Sequence, residues 1–356
     1  MIQDIKNIAD NLCLVTGGAG FIGSHLIDRL LTLGAEVRVL DDFHSGSQEN
    51  LVHHASNPAL KIIEGSVCDP IIIRKCVSGC DYVFHLACRN VRESLKQPTA
   101  NHDVNVKGTF EMLKASAEAG VKRFLYCSSS EVNGTADIVP MPENYHFKPE
   151  TIYGASKLCG EYFTQVFQRS GWLETVIARP HNNYGPREHY RGIWGEVIPR
   201  FILLALAGKP LTVYGNGEQT RDFTYVTETA DYLVQLVSLP LTAGCTFNIC
   251  RGQEVSILHI AKTIIRLTES NSEIIYLPAR PSDVLRLYGD PTFLKRTLGD
   301  SPAISIEEGL ARTIDWFRAN VQLSGELLTS FSSRDWENLE SEPWLTVLHD
   351  QRKRVT

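Results

Sequence analysis

No CxxC pair occurs in the 356-residue chain. The nine cysteines (Cys13, Cys68, Cys76, Cys80, Cys88, Cys127, Cys159, Cys245 and Cys250) are odd in number and scattered. Neither a disulfide framework nor a metal site is expected from them. Several sit in apolar strand-like runs, the pattern of buried thiols in a reducing compartment. Positive charge is not in excess: 35 Lys and Arg stand against 41 Asp and Glu, a net charge of -6. That argues against a nucleic-acid-binding surface, and an anionic ligand would need locally placed arginines. Long apolar runs are missing. FILLALA, Phe201 to Ala207, is among the longest and is far too short to span a bilayer. The N-terminal MIQDIKNIADN carries acids and no apolar core, so it does not read as a signal peptide. Internal repeats and low-complexity segments are absent as well. These absences leave a cytosolic globular protein without membrane or nucleic-acid partners.

What is present is an alternation. LCLVT (Leu12 to Thr16), EVRVLDD, LKIIEG, DYVFHLA, RFLYC and ETVIARP are short apolar runs that read as strands. Helical patterns fall between most of them, including Phe21 to Leu33 closed by Gly34, and Val106 to Glu118 followed by Gly120. Repeated βαβ units predict an α/β fold with a doubly wound, Rossmann-type parallel sheet. After Pro180 the pattern loosens into Gly- and Pro-rich loops, a helix near Val197 to Ala207 and short mixed elements, which predict a smaller α/β unit. The expected division is a dinucleotide domain over 1–180 (with the chain returning to it around 223–250), a second domain over 181–320, and a polar tail over 321–356. The tail holds Trp336, Trp344 and a basic QRKR end. SIEEGLARTIDWF predicts a late helix, with Ser305 and Glu308 as a capping box and Ile306, Leu310, Ile314 and Phe317 as its apolar stripe.

Chemistry enters at three places. The first strand runs into GGAGFIG, where Gly17, Gly20 and Gly23 stand three apart. Such glycines allow a tight turn, close approach of a pyrophosphate and close helix packing, and the following helix N-terminus offers free N–H groups to phosphate. Asp41 ends the second strand 18 residues beyond Gly23, where an acid accepts the ribose hydroxyls and repels a 2′-phosphate; NAD is favoured over NADP. YGASK then sets Tyr153 and Lys157 at i and i+4, on one helix face. A nearby ammonium favours a phenolate, so Tyr153 is expected to have a lowered pKa and to act as a base, with Ser129 completing a triad that grips an alcohol.

With these motifs in place the chain resembles the extended short-chain dehydrogenase/reductase family, the nucleotide-sugar epimerases, dehydratases and decarboxylases. The resemblance spans about residues 11–320. It rests on TGGAGFIGSHL, VLDD, HLAC, NVKGT, SSSEV, YGASK, RPHNNYGPR, GNGEQTRDFTYV and RPSD. It implies that Gly17, Gly20, Phe21, Ile22, Gly23, Asp41, Asp42, Ser66, Val67, Leu86, Ala87, Asn105, Ser129, Tyr153, Lys157 and His181 surround NAD. It implies a nucleotide-diphosphate sugar held by Asn182, Val197, Tyr214, Arg221 and Arg280. Guanidinium groups suit two phosphates because they are permanently charged and bidentate; the competing reading of Arg221 is a surface ion pair with Asp222. A homodimer built on the helices following Val106 and Tyr153 is likewise implied by resemblance alone. Three positions depart from the family pattern: Asn133 in VNG, Ser66 in EGSVCD, where an acid near the adenine is usual, and His181 in RPHNNYG, where an aromatic is usual. His181 could serve there as a proton relay or as a structural histidine.

The resemblance also frames SSSEVNG, Ser128 to Gly134. Family members open by oxidising the sugar at C4. A 4-epimerase needs no further base, whereas a dehydratase must remove the C5 proton. Dehydratases carry Thr-Asp-Glu here, decarboxylases Thr-Ser-Glu, and this chain carries Ser129-Ser130-Glu131. The reading taken is a 4,6-dehydratase with Glu131 as base; a 4-epimerase, a decarboxylase and an NAD-sensing scaffold are the alternatives, and the competing reading of Glu131 itself is a structural carboxylate. EHYRGIWGEVIP, with His189, Tyr190, Arg191 and Trp194, reads as a lid over the sugar, a dimer contact or plain packing.

Overall fold

The computed structural model describes residues 8–192, 195–279, 285–299, 303–331 and 342. Six short apolar runs become strands β1 (Leu12–Thr16), β2 (Glu36–Asp41), β3 (Leu60–Glu64), β4 (Tyr82–His85), β5 (Arg123–Cys127) and β6 (Thr175–Pro180). β5 and β6 are buried at every position, as strands covered on both faces must be. Beyond them come β7 (Asn182–Tyr184), β8 (Leu211–Tyr214), β9 (Thr220–Arg221), β10 (Phe223–Tyr225) and β11 (Thr246–Ile249). The main sheet runs β11-β6-β5-β4-β1-β2-β3, and each of its neighbouring pairs is parallel.

Helices cover both faces. Phe21–Thr32 and Val226–Ser238 seal one core, where Val15, Val39, Leu125 and Phe247 meet Leu26, Leu30 and Leu233. Pro70–Val77, Thr109–Glu118 and Ile152–Arg169 seal the other, around Leu14, Val83, Phe124 and Tyr126. The strand order reverses between β1 and β4, and in such sheets ligands bind at the carboxyl ends flanking that point. A third core, with Phe201, Ile202, Leu211, Ile260 and Leu310, belongs to the smaller unit.

The Ser305 hydroxyl caps the helix Ile306–Asn320 by accepting from the Glu308 N–H. The reciprocal half of the expected box is not made, because the Glu308 carboxylate accepts from Arg312 one turn on. Leu310, Ile314 and Phe317 are buried in the third core, so the stripe is packing. The helix read from Val106 begins earlier, at Pro98, and carries a wide π turn over Asp103–Gly108. Of the tail, Gly325–Thr329 is helical and the Glu342 carboxylate accepts from the Thr99 N–H and hydroxyl. Trp194, Arg280, Trp336, Trp344 and the QRKR end lie outside the described residues.

Candidate active site

β1 delivers Gly17 in the left-handed region, at φ 69°. A Cβ there would stand 2.8 Å from the Ala87 backbone nitrogen, and one at Gly23 would stand 2.2 Å from the Gly17 carbonyl oxygen. The turn therefore closes only with glycine at both places. β4 is fixed beside it by His85, whose ring bridges the Thr16 hydroxyl (2.7 Å) and the Thr109 hydroxyl (3.0 Å). Burial, reinforced by the Lys157 charge, pulls the pKa of His85 down to about 3, so the ring is a neutral brace. Asp41 accepts from the Ala19 N–H and the Phe43 N–H, both at 2.8 Å, tying the glycine turn to the end of β2. Burial raises its pKa in spite of these bonds. Asp42, exposed at the rim, pairs with Arg89 at 2.9 Å.

These strand ends open into one cleft of about 600 Å³ that runs into the smaller unit. Gly17, Gly20, Phe21, Ile22, Gly23, Asp41, Asp42, Val67, Leu86, Ala87, Ser129, Tyr153, Lys157 and His181 all line it. So do Ser130, Glu131, Asn182, Val197, Tyr214 and Arg221. Two positions given to the cofactor do not. The Ser66 hydroxyl is turned to the Cys68 N–H at 3.1 Å. Asn105 sits behind the wall, accepting from the Arg89 N–H and donating to the Arg89 carbonyl and the Ser156 hydroxyl. Its place is to hold the Cys88–Asn90 loop, not to face the cleft.

Helix Ile152–Arg169 starts where the Thr151 hydroxyl accepts from the Gly154 N–H at 2.9 Å. This start puts Tyr153 and Lys157 on the face toward β5. Lys157 is buried and donates to the Cys127 carbonyl at 2.8 Å, with its ammonium 5.8 Å from the centre of the Tyr153 ring. Burial first, then the Cys88 thiol nearby, push the Tyr153 phenol well above its ordinary pKa, and the neighbouring Ser129 hydroxyl offsets only part of this. The direction is opposite to the lowering expected from Lys157, because burial is the largest cause.

Glu131 follows from the end of β5, where the Ser129 hydroxyl accepts from its N–H at 3.2 Å. Burial raises its pKa, the nearby Arg221 charge pulls it back, and Glu150 pushes it up again, for a net rise. Among the described residues no hydrogen bond ends on the Glu131 carboxylate. The strand end itself is rigid: the buried Glu161 carboxylate accepts from the Ser128 hydroxyl (2.5 Å) and from two nitrogens of Arg179 (2.7 Å each). Arg221 donates to the Thr220 carbonyl, while Asp222 is buried and accepts the Arg251 and Gly252 N–H groups. The two side chains therefore serve different partners, and the surface-pair reading of Arg221 falls away.

His181 is buried, and burial followed by the Arg179 charge lowers its pKa to about 3. The ring is therefore neutral at ordinary pH. His181 Nδ1 and Asn182 Oδ1 are buried on the cleft wall without a hydrogen-bond partner among the described residues. Polar atoms so placed suit a bound ligand, and with the glycine turn and Asp41 they form a cradle that fits a dinucleotide beside a second polar molecule.

Several lining residues escaped the sequence reading. Cys88 and Arg89 sit in the loop after β4 and Arg92 in the short helix Val91–Ser94, with no periodicity to flag them, and Phe331 arrives from the tail. Arg92 reaches Glu196 with two contacts of 3.1 Å, joining the β4 loop to the start of the helix Val197–Leu206. From the lid segment His189 faces the cleft, while Tyr190 packs edge-on against Phe317, ring centres 5.6 Å apart.

A switch-point glycine turn, an acid at the end of β2 and a Ser–Tyr–Lys group at the end of β5 define a dinucleotide-dependent α/β enzyme of the short-chain dehydrogenase type. The chain belongs to the NAD dependent epimerase/dehydratase family, whose model matches residues 13–250. It is 35% identical over 315 residues to UDP-glucuronic acid decarboxylase 1 of Xenopus tropicalis, covering 87% of this chain and 72% of the relative. It is 33% identical over 312 residues to a UDP-glucose 4-epimerase of Mycolicibacterium smegmatis, covering 87% and 99%. Among solved structures, DesIV, a dTDP-glucose 4,6-dehydratase of Streptomyces venezuelae with NAD and TYD bound, superposes with a TM-score of 0.82 at 30% identity, covering 89% of this chain and 99% of that one. The protein is accordingly an NAD-dependent enzyme of nucleotide-sugar modification. Among the described residues no helix is long and apolar enough to cross a membrane.

Proposed function

We propose that the protein oxidises a nucleotide-diphosphate sugar at C4 and then eliminates water across C5 and C6, as a 4,6-dehydratase. The observation that carries this reading is Glu131: a cleft-lining carboxylate, beside the Ser129–Tyr153 pair, that no described hydrogen bond occupies. A 4-epimerase has no use for such a group. NAD, when bound, supplies the hydride acceptor for C4 and returns the hydride later.

The chain's own residues divide the remaining work. Ser129 and Tyr153 grip the C4 hydroxyl, and Tyr153 relays its proton. Lys157 holds the end of β5 through the Cys127 carbonyl and brings positive charge near the phenol. Once C4 is a ketone, the C5 proton is acidic and Glu131 takes it. Ser130 stands where an acid for the departing hydroxyl is usual, so the same Glu131 carboxyl, now protonated, hands its proton to the C6 oxygen as water leaves; C6 then takes back the hydride, and C5 takes a solvent proton delivered through Glu131. Asn182, Tyr214 and Arg221 bind the nucleotide diphosphate, and Arg280 joins them by resemblance. Decarboxylation of a uronic acid is the second reading, favoured by the Thr-Ser-Glu-like order Ser129-Ser130-Glu131 and by the decarboxylase among the relatives.

Incubation with a panel of UDP-, dTDP- and GDP-sugars, read by mass spectrometry, separates the outcomes. Loss of 18 mass units marks dehydration, loss of 44 marks decarboxylation, and an unchanged mass with a new retention time marks epimerisation. The dehydratase reading fails if no sugar in the panel loses water.

A further inference from the structure

The dinucleotide side of the protein carries a second cluster of ligating groups, outside the cleft. His53 and His54 end the short helix Gln48–His54, and Asp28 lies on the helix Phe21–Thr32. Both Nε2 atoms come to 2.8 Å from the same oxygen, Asp28 Oδ1. The two imidazoles lie with ring centres 4.1 Å apart. All three donor atoms fall within 4.8 Å of one another.

From this convergence we infer that His53, His54 and Asp28 form a binding site for a divalent transition-metal ion such as zinc. A four-coordinate zinc holds imidazole nitrogen and carboxylate oxygen at about 2.0–2.2 Å, so its ligands stand roughly 3.3 Å apart. The cluster needs only small side-chain shifts to reach that geometry. Two nitrogen donors and one carboxylate suit zinc, cobalt, nickel or copper, and are poor partners for magnesium or calcium, which take oxygen. Three protein ligands leave a fourth position for water.

The surroundings orient the carboxylate. Arg187 donates to the other oxygen, Asp28 Oδ2, at 2.5 Å. Arg187 is itself held by the Asn50 carbonyl at 3.0 Å and by His25 Nδ1 at 2.7 Å. The guanidinium charge opposes a cation, so the site is expected to bind moderately and not as a structural zinc does. Its position gives it a use. The Asn50 side chain and the Ser47 N–H both bond to the Ala19 carbonyl in the glycine turn. An ion at His53 and His54 would clamp that same short helix to Asp28, behind the turn.

The test is calorimetric titration of the chelator-treated full chain with zinc chloride, alongside cobalt chloride followed by visible absorption. One zinc per chain, cobalt bands of a four-coordinate site and no competition from magnesium support the site. The double variant His53→Gln, His54→Gln keeps an N–H donor toward Asp28 but loses imidazole. It should bind at least about 100-fold more weakly while melting at the metal-free wild-type temperature. Should the double variant misfold, His54→Gln alone carries the comparison. No saturable binding by wild type, or equal affinity in a folded variant, overturns the proposal.

Discussion

Replacing Glu131 by glutamine keeps the size and removes the charge of the one cleft carboxylate assigned to C5 chemistry. General-base catalysis is worth about 10²–10⁴-fold, which at about 1.36 kcal/mol per decade is roughly 2.7–5.4 kcal/mol of barrier. Glu131 pairs with no described donor, so the substitution breaks no bond and stability should move by under about 0.5 kcal/mol. The loss should therefore fall on kcat, with KM little changed. The pH profile gives a second readout. The Glu131 pKa is raised by burial, with Arg221 restraining the rise. Only the ionised form takes a proton, so activity should climb with pH through that raised pKa and fall away below it; in Glu131→Gln this limb should vanish. Turnover in heavy water, with the product analysed by nuclear magnetic resonance, should place deuterium at C5. In the variant, absorbance of the reduced cofactor should build up, because C4 oxidation continues while elimination stalls. If Glu131→Gln turns over within about threefold of wild type and C5 stays unlabelled, the carboxylate is structural and the elimination mechanism is wrong.

Other substitutions probe the supporting parts. Tyr153→Phe should abolish C4 oxidation of every accepted sugar while nucleotide binding persists; retained turnover would remove Tyr153 from the proton path. Asp41→Asn leaves its shape but weakens the ties to Ala19 and Phe43, and calorimetry should find NAD binding weaker by about 5–150-fold, the equivalent of about 1–3 kcal/mol. Glu161→Gln strands Arg179, which is 1% exposed, so urea unfolding should show a loss of about 3–5 kcal/mol. Phe110, Tyr162 and Val166 are exposed apolar residues on the two helices that the family resemblance assigns to dimer contact. Phe110→Glu with Val166→Glu should turn a dimer into a monomer by light scattering; an unchanged mass would refute that face.

The sheet was legible because its strands are apolar runs cut off by glycine and helical segments. Tyr153 and Lys157 were legible because a four-residue spacing fixes a helix face whatever else the chain does. Other features depend on distant parts and leave no local trace. Asn105 belongs to the NVKGT motif, yet the π turn directs it to the Arg89 backbone instead of the cleft. The Tyr153 pKa rises where Lys157 alone would lower it, because sequence reports the neighbouring lysine but not the depth of burial. Asp222 adjoins Arg221 in the chain, but successive side chains of an extended segment diverge, and Asp222 turns inward to the Arg251 and Gly252 backbone. Phe331 reaches the cleft from a polar tail with no periodicity to reveal it.

β11 enters the main sheet only after the chain has built β7 to β10, pairing Thr246 to Ile249 alongside Ile177 to Pro180. The helix just before it, Val226–Ser238, is also the one that packs against Phe21–Thr32, where Arg29 meets Asp231 at 2.5 Å. A fragment ending at residue 180 would therefore have a bare β6 edge and an uncovered apolar face, and it should aggregate when expressed alone. Exchange of the sugar-recognition unit between relatives is constrained in the same way. A chimera needs junctions on both sides of residues 226–250, so that the returning helix and strand stay with the sheet they complete, and a single crossover would mix two cores that did not evolve together.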